Sequence, residues 1–175
     1  TIEELKSADA VDQEALSKAE TALKEAESKI FTPIIGCEMY VADNDMTDRS
    51  NKKDIGRHLI VLAKNQHGYH NLIKLVSNAW TDGYYYHPRT DKKQLEKYHE
   101  DLIVCSACLG GEVPKLITAG HIEEAEKSIL WFKKVFGEDY YLELQRHKAT
   151  VARANQEAYP LQQEVNKALI EKSKK

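Results

Sequence analysis

Glu38, His58, Cys108 and His147 have side chains and placements suited to chemistry. Glu38 is a carboxylate inside an otherwise apolar run, Ile34-Ile35-Gly36-Cys37-Glu38-Met39-Tyr40-Val41. An unpaired charge is costly to bury, so this side chain must meet a cation, a hydrogen-bond network or solvent. Cys108 follows a second apolar run, Leu102-Ile103-Val104-Cys105, and His147 comes two residues after a third, Tyr140 to Gln145. In parallel α/β folds, sites gather just beyond the carboxyl ends of strands. Glu, Cys and His in such places make a donor set for a divalent metal. His58 opens its apolar run, Leu59 to Ala63, so it joins the others only if its strand is reversed. The structural alternative is a surface His147, a capping or hairpin His58 and a Cys108 held in its turn.

Other residues invite chemistry less directly. Cys105-Ser106-Ala107-Cys108 has C-x-x-C spacing, but Cys37 is the one other cysteine. A structural zinc site needs four ligands. A redox pair belongs at a helix N-terminus, whereas Cys105 belongs to a strand and is expected in the core. His67, His70, His87, His99 and His121 lie in polar context and are expected at the surface. Tyr84-Tyr85-Tyr86 with Arg89 would stack on and pair with nucleic acid, or pack as an ordinary loop, which is the expectation. There is no P-loop, G-x-G-x-x-G, G-x-S-x-G or H-E-x-x-H string.

The elements that position these residues can be read from periodicity. Leu16, Ala19, Leu23, Ala26 and Ile30 share one face of a helix for which Asp12 is a candidate N-cap. Ile2 to Lys6 is read as a short helix folding back on it. Pro33 ends that pattern and a strand follows, then an exposed loop from Asp43 to Gly56. The continuous apolar run Leu59–Ala63 predicts a strand buried on both faces. Leu72, Leu75, Val76 and Ala79 predict a helix, 82–91 a loop and Lys92–Tyr98 a short helix. After the second buried strand a short helix ends near Gly120. Ile122, Ala125, Ile129, Phe132 and Phe136 then mark a helix that Gly137 stops. Tyr140–Gln145 is read as a strand and Ala154–Lys174 as a helix, with Pro160 kinking it or sitting in its first turn. Strands alternating with amphipathic helices indicate an α/β fold with largely parallel strands. About four strands cannot close a barrel, so an open sheet with an unpaired edge is expected.

Composition bounds the function. The 175 residues are 42% hydrophobic and 30% charged, with 25 Lys plus Arg against 28 Asp plus Glu. That net charge of −3 argues against a generic polyanion binder, which needs an excess of clustered cations. No apolar run approaches a membrane span and no signal-peptide pattern opens the chain. With three cysteines and no secretory signal, the reducing cytoplasm is the expected compartment. The start at Thr1 and the end in a helical turn read as an excerpt from a longer protein.

Five strings, taken together, resemble one family. They are Pro33 to Val41, His58 to Asn65, Gly68-Tyr69-His70-Asn71-Leu72, Ser106 to Glu112 and Tyr141 to His147. In order and spacing they resemble the N-terminal PHP (polymerase and histidinol phosphatase) domain of bacterial replicative DNA polymerase III alpha subunits, most of all the Bacteroidetes type. The resemblance divides the chain into a helical, insertion-like segment over 1–30 and an incomplete PHP domain over 31–175. It implies a partial, distorted (β/α)7 barrel with a metal site at its mouth. Carried over by motif, Glu38, His58, Cys108 and His147 are the metal ligands, for zinc or manganese. In PHP domains with all their ligands such a centre supports phosphoester hydrolysis, including 3′–5′ exonucleolysis. The implied partners are the rest of the alpha subunit, DNA through it, and proofreading or clamp partners of the replisome; the alternative is a pure scaffold. The family's opening H-x-H and T-D-H strings are absent, and its late Asp-x-His pair lies beyond Lys175. The resemblance therefore implies that these residues alone hold metal weakly or not at all, and are inactive by themselves.

Overall fold

The computed structural model describes residues 13–29, 33–146 and 153–174. The chain divides into two compact units, Thr1–Pro33 and Ile34–Lys175. In the first, the expected helix is α1 (Gln13–Ser28); of its named stripe Leu16 and Ala19 are half-buried, Leu23 and Ala26 are exposed, and Ile30 lies outside the described residues. Asp12 and the segment Ile2 to Lys6 lie outside the described residues.

The second unit is built on one sheet. Its strands are β1 (Gly36–Val41), β2 (Arg57–Ala63), β3 (Tyr84–Tyr85), β4 (His87–Thr90), β5 (Leu102–Cys105) and β6 (Tyr140–Tyr141), in the order β3-β4-β1-β2-β5-β6. The helices are α2 (Gln66–Thr81), α3 (Lys92–Lys97), α4 (Glu112–Thr118), α5 (Ile122–Phe136) and α6 (Arg153–Lys172). The fold is α/β, and the sheet is open rather than a closed barrel.

The strands are not largely parallel. β1 runs parallel to β4 and β5 parallel to β6, but β2 is antiparallel to both β1 and β5, and β3 to β4. The connections explain this. A parallel pairing needs a crossover, and residues 42–56, which join β1 to β2, contain no helix. Adjacent and linked without a helix between them, β1 and β2 pair antiparallel. β5 and β6 are separated by α4 and α5, which supply a crossover, and they come out parallel.

One face of the sheet holds the core. Met39, Val41, Leu59, Val61, Leu102 and Val104 alternate along β1, β2 and β5 and pack with Leu72, Leu75, Leu95, Phe132, Phe136 and Tyr140. Each such aliphatic side chain contributes about 1.5–3 kcal/mol on full burial. The Leu59–Ala63 run is therefore not buried equally on both sides. Leu59 and Val61 are fully buried, while Ile60 and Leu62 are half-buried on the other face, which also carries His58.

Local chemistry sets the helix ends. The Asn65 side chain accepts the Gly68 N–H at 3.0 Å and opens α2; Asp91 accepts the Gln94 N–H at 2.9 Å and opens α3. Gly137, at φ 58°, ends α5 as expected. Pro160 falls inside α6 rather than in its first turn. Residues 82–91 contain the β3–β4 hairpin rather than a plain loop. Arg89 within it is fully buried, and its guanidinium lies 5.0 Å from the Tyr85 ring. Tyr85 thus packs against Arg89, while Tyr84 and Tyr86 are exposed.

The third apolar run pairs over Tyr140–Tyr141 alone and not to Gln145. After Cys105 the chain turns away at Ala107 (φ 61°). The backbone beyond Tyr141 then has no strand to pair with, and Glu143 donates its N–H to the Ser106 hydroxyl at 2.8 Å instead. Among the described residues no helix is long and apolar enough to cross a membrane.

Candidate metal centre

The reversed direction of β2 brings the site together. His58 stands near the start of β2, and the register places it opposite Tyr40 near the end of β1. Glu38, two residues earlier, projects from the same face as Tyr40. Its side chain is 53% exposed, so the charge meets solvent as well as a partner. Cys108 arrives from the turn after β5. That turn is laid along β2 by the His58 N–H, which donates to the Gly110 carbonyl at 3.1 Å, and by a parallel bridge between His58 and Gly111.

Three donor atoms of different kinds converge. His58 Nδ1 is 2.9 Å from Glu38 Oε1 and 3.3 Å from Cys108 Sγ. One ligand atom from each residue lies within 4.8 Å of the other two. Both partners face the same ring nitrogen, so the three atoms surround a point rather than forming a relay. A carboxylate oxygen, an imidazole nitrogen and a sulfur form a borderline-soft donor set of the kind zinc takes. The residues present therefore fit a transition-type divalent ion. Cys108 also accepts the Gly110 N–H at 3.3 Å.

The surroundings hold the imidazole in place. The Tyr40 ring stands edge-on to His58 at 5.1 Å and is stacked on His87 at 4.5 Å, with an interplanar angle of 11°. On the other side Cys108 and Glu143 line a small cleft, where Gln145 Nε2 donates to Glu143 Oε1 at 2.7 Å.

Of the four sequence-derived candidates, Glu38, His58 and Cys108 are brought together; His147 lies outside the described residues. The C-x-x-C pair is not a disulfide, since all three cysteines are free. Cys105 is half-buried, and burial, with the Glu143 charge adding to it, pushes its thiol up. Burial and then Glu38 do the same to Cys37. Two histidines expected at the surface are half-buried: His87 against Tyr40, and His99, whose Nδ1 lies 2.8 Å from the Glu96 carbonyl. His67, His70 and His121 are exposed as expected. Sequence reasoning missed Tyr40 and His87, because their contact depends on the β1–β4 register. It also missed Gly110, although the Gly110-Gly111 pair beside Cys108 was a visible signal of close backbone approach.

A family model described as the PHP domain matches residues 5–147. The chain belongs to the PHP domain family. Over most of its length it matches DNA polymerase III alpha subunits. It is 55% identical over 129 residues to the DNA polymerase III subunit alpha of Borreliella burgdorferi, covering 71% of this chain and 11% of that protein. The Treponema pallidum protein of the same name is 48% identical over 118 residues, 65% of this chain and 10% of its own length. That of Aquifex aeolicus is 38% identical over 150 residues, 82% of this chain and 12% of its own. The PHP chain thus spans about a tenth of the length of these curated relatives.

Proposed function

We propose that Glu38, His58 and Cys108, joined by His147, hold a divalent metal ion, zinc or manganese, and that the centre acts on phosphoesters within a DNA polymerase III alpha subunit. The observation that carries this reading is the convergence within 4.8 Å of three unlike donor atoms, from within β1, from the start of β2 and from the turn after β5. When bound, the ion supplies Lewis-acid polarisation of a phosphoryl oxygen and neutralises developing charge. Cys108 supplies a sulfur donor, held in its turn by the Gly110 N–H. Glu38 brings a carboxylate oxygen beside His58 Nδ1, and Tyr40 limits the swing of the His58 ring from the side. Nucleotidyl transfer by the parent polymerase is assigned to residues outside this chain. Its partners are the remainder of the subunit, DNA held by it, and proofreading or clamp proteins.

Elemental mass spectrometry of the full-length protein tests the metal reading. The wild type should retain zinc or manganese through dialysis. Cys108→Ser and Glu38→Gln should each lower its affinity at least tenfold, about 1.4 kcal/mol, and abolish any metal-dependent nuclease activity. Unchanged metal content in both variants would refute the ligand assignment.

A further inference from the structure

We infer that Gly110 is a positioning residue of the metal centre, the side-chain-free floor on which the His58 imidazole rests; this builds on the metal reading above. A Cβ placed on Gly110 would stand 2.8 Å from His58 Nδ1, 3.0 Å from Cε1 and 3.0 Å from Cγ. No φ requirement explains the glycine, for Gly110 is not among the residues with positive φ. What excludes a side chain is the ring itself.

The backbone beneath the ring cannot easily retreat. The Gly110 carbonyl accepts the His58 N–H at 3.1 Å, and the Gly110 N–H points to Cys108 Sγ at 3.3 Å. The Gly111 N–H closes the same turn on the Cys108 carbonyl at 2.9 Å. Gly111 has no room for a side chain either, since a Cβ there would run into the Ser106 carbonyl oxygen. The turn that presents Cys108 is therefore the turn that sets the height of the His58 ring. One added methyl must lift the ring, and with it Nδ1, away from Glu38 Oε1 and Cys108 Sγ. Metal–ligand distances tolerate only about 0.2 Å, so a shift of several tenths of an ångström is enough to spoil the centre without removing any ligand.

The test is a double-mutant cycle in the full-length protein, with zinc affinity measured by competition against a chromophoric chelator. Gly110→Ala should lower zinc affinity at least tenfold. In a His58→Ala background, where the ring is gone, the same substitution should change affinity by less than twofold. A role in folding alone would not give that dependence on His58. Gly110→Ala binding zinc as the wild type does, or costing the same factor with and without His58, overturns the inference while leaving the metal centre standing. Should Gly110→Ala fail to fold, recovery of folding in His58→Ala/Gly110→Ala supports the steric contact, and failure of both overturns it. A wild type that binds neither zinc nor manganese overturns the metal reading and this inference together.

Discussion

Replacing Arg89 with methionine should cost the protein about 3 kcal/mol of stability. The Arg89 side chain is 0% exposed and lies 3.3 Å from Asp54 Oδ2, itself 7% exposed. Its guanidinium also donates to the carbonyls of Asp54 at 2.9 Å, Met46 at 3.0 Å, Asp48 at 2.8 Å and Gly83 at 3.4 Å. Removing one partner of a buried ion pair costs about 3–5 kcal/mol, because the other charge is left uncompensated. Here the low end applies, since the Asp54 carboxylate keeps the N–H groups of Asp43 at 3.0 Å and Gly56 at 3.2 Å. The stranded Met46 carbonyl adds to the loss, whereas Asp48 is half-exposed and its carbonyl can turn to water. Methionine keeps much of the stem against Tyr85. Urea unfolding should show a lower midpoint at an unchanged slope. Adding Asp54→Asn to Arg89→Met should recover part of the loss by removing the stranded charge. A cost under about 1 kcal/mol, or no recovery with Asp54→Asn, would refute the reasoning.

Two further outcomes follow from particular side chains. Tyr140→Phe should leave stability unchanged or raise it by up to about 1 kcal/mol, because the Tyr140 hydroxyl is buried with no partner among the described residues. The stack on Phe132 at 5.0 Å is kept; a fall in thermal midpoint would show that the hydroxyl has a partner after all. The Asp101 carboxyl is held below the usual aspartate range, first by its hydrogen bond to His67 and then by one to Asn65. A depressed folded-state value means that ionised Asp101 favours the fold. That contribution is present above about pH 3.9, the unfolded value, and is lost as pH falls through the lower folded one. His67→Ala should move the Asp101 midpoint up toward the ordinary value, read from its carboxyl carbon by NMR. An unmoved midpoint would assign the depression to other groups.

What could be read beforehand divides along physical lines. Periodicity is local, so α2 and α5 were legible from Leu72, Leu75 and Ala79 and from Ala125, Phe132 and Phe136, which are buried; of the named stripes Val76 and Ile129 are half-buried and Ile122 is exposed. The metal candidates were legible too, because Glu38 is anomalous in an apolar strand and Cys108 sits in a strand-ending turn. Strand direction was not, since alternating elements suggest a parallel sheet and only the connection over 42–56 contradicts it. That single reversal decides the chemistry. With β2 parallel to β5, its first residues would lie at the end of the sheet opposite the turn after β5, and His58 would be separated from Cys108 by the length of the strand. Run the other way, the register sets His58 beside Tyr40 and within 2.9 Å of Glu38. The absence of a crossover helix between the first two strands is thus as much a part of the cluster as its side chains. An insertion into that loop that allowed β2 to shift by one residue would turn His58 to the core face and dismantle the cluster with every ligand still present.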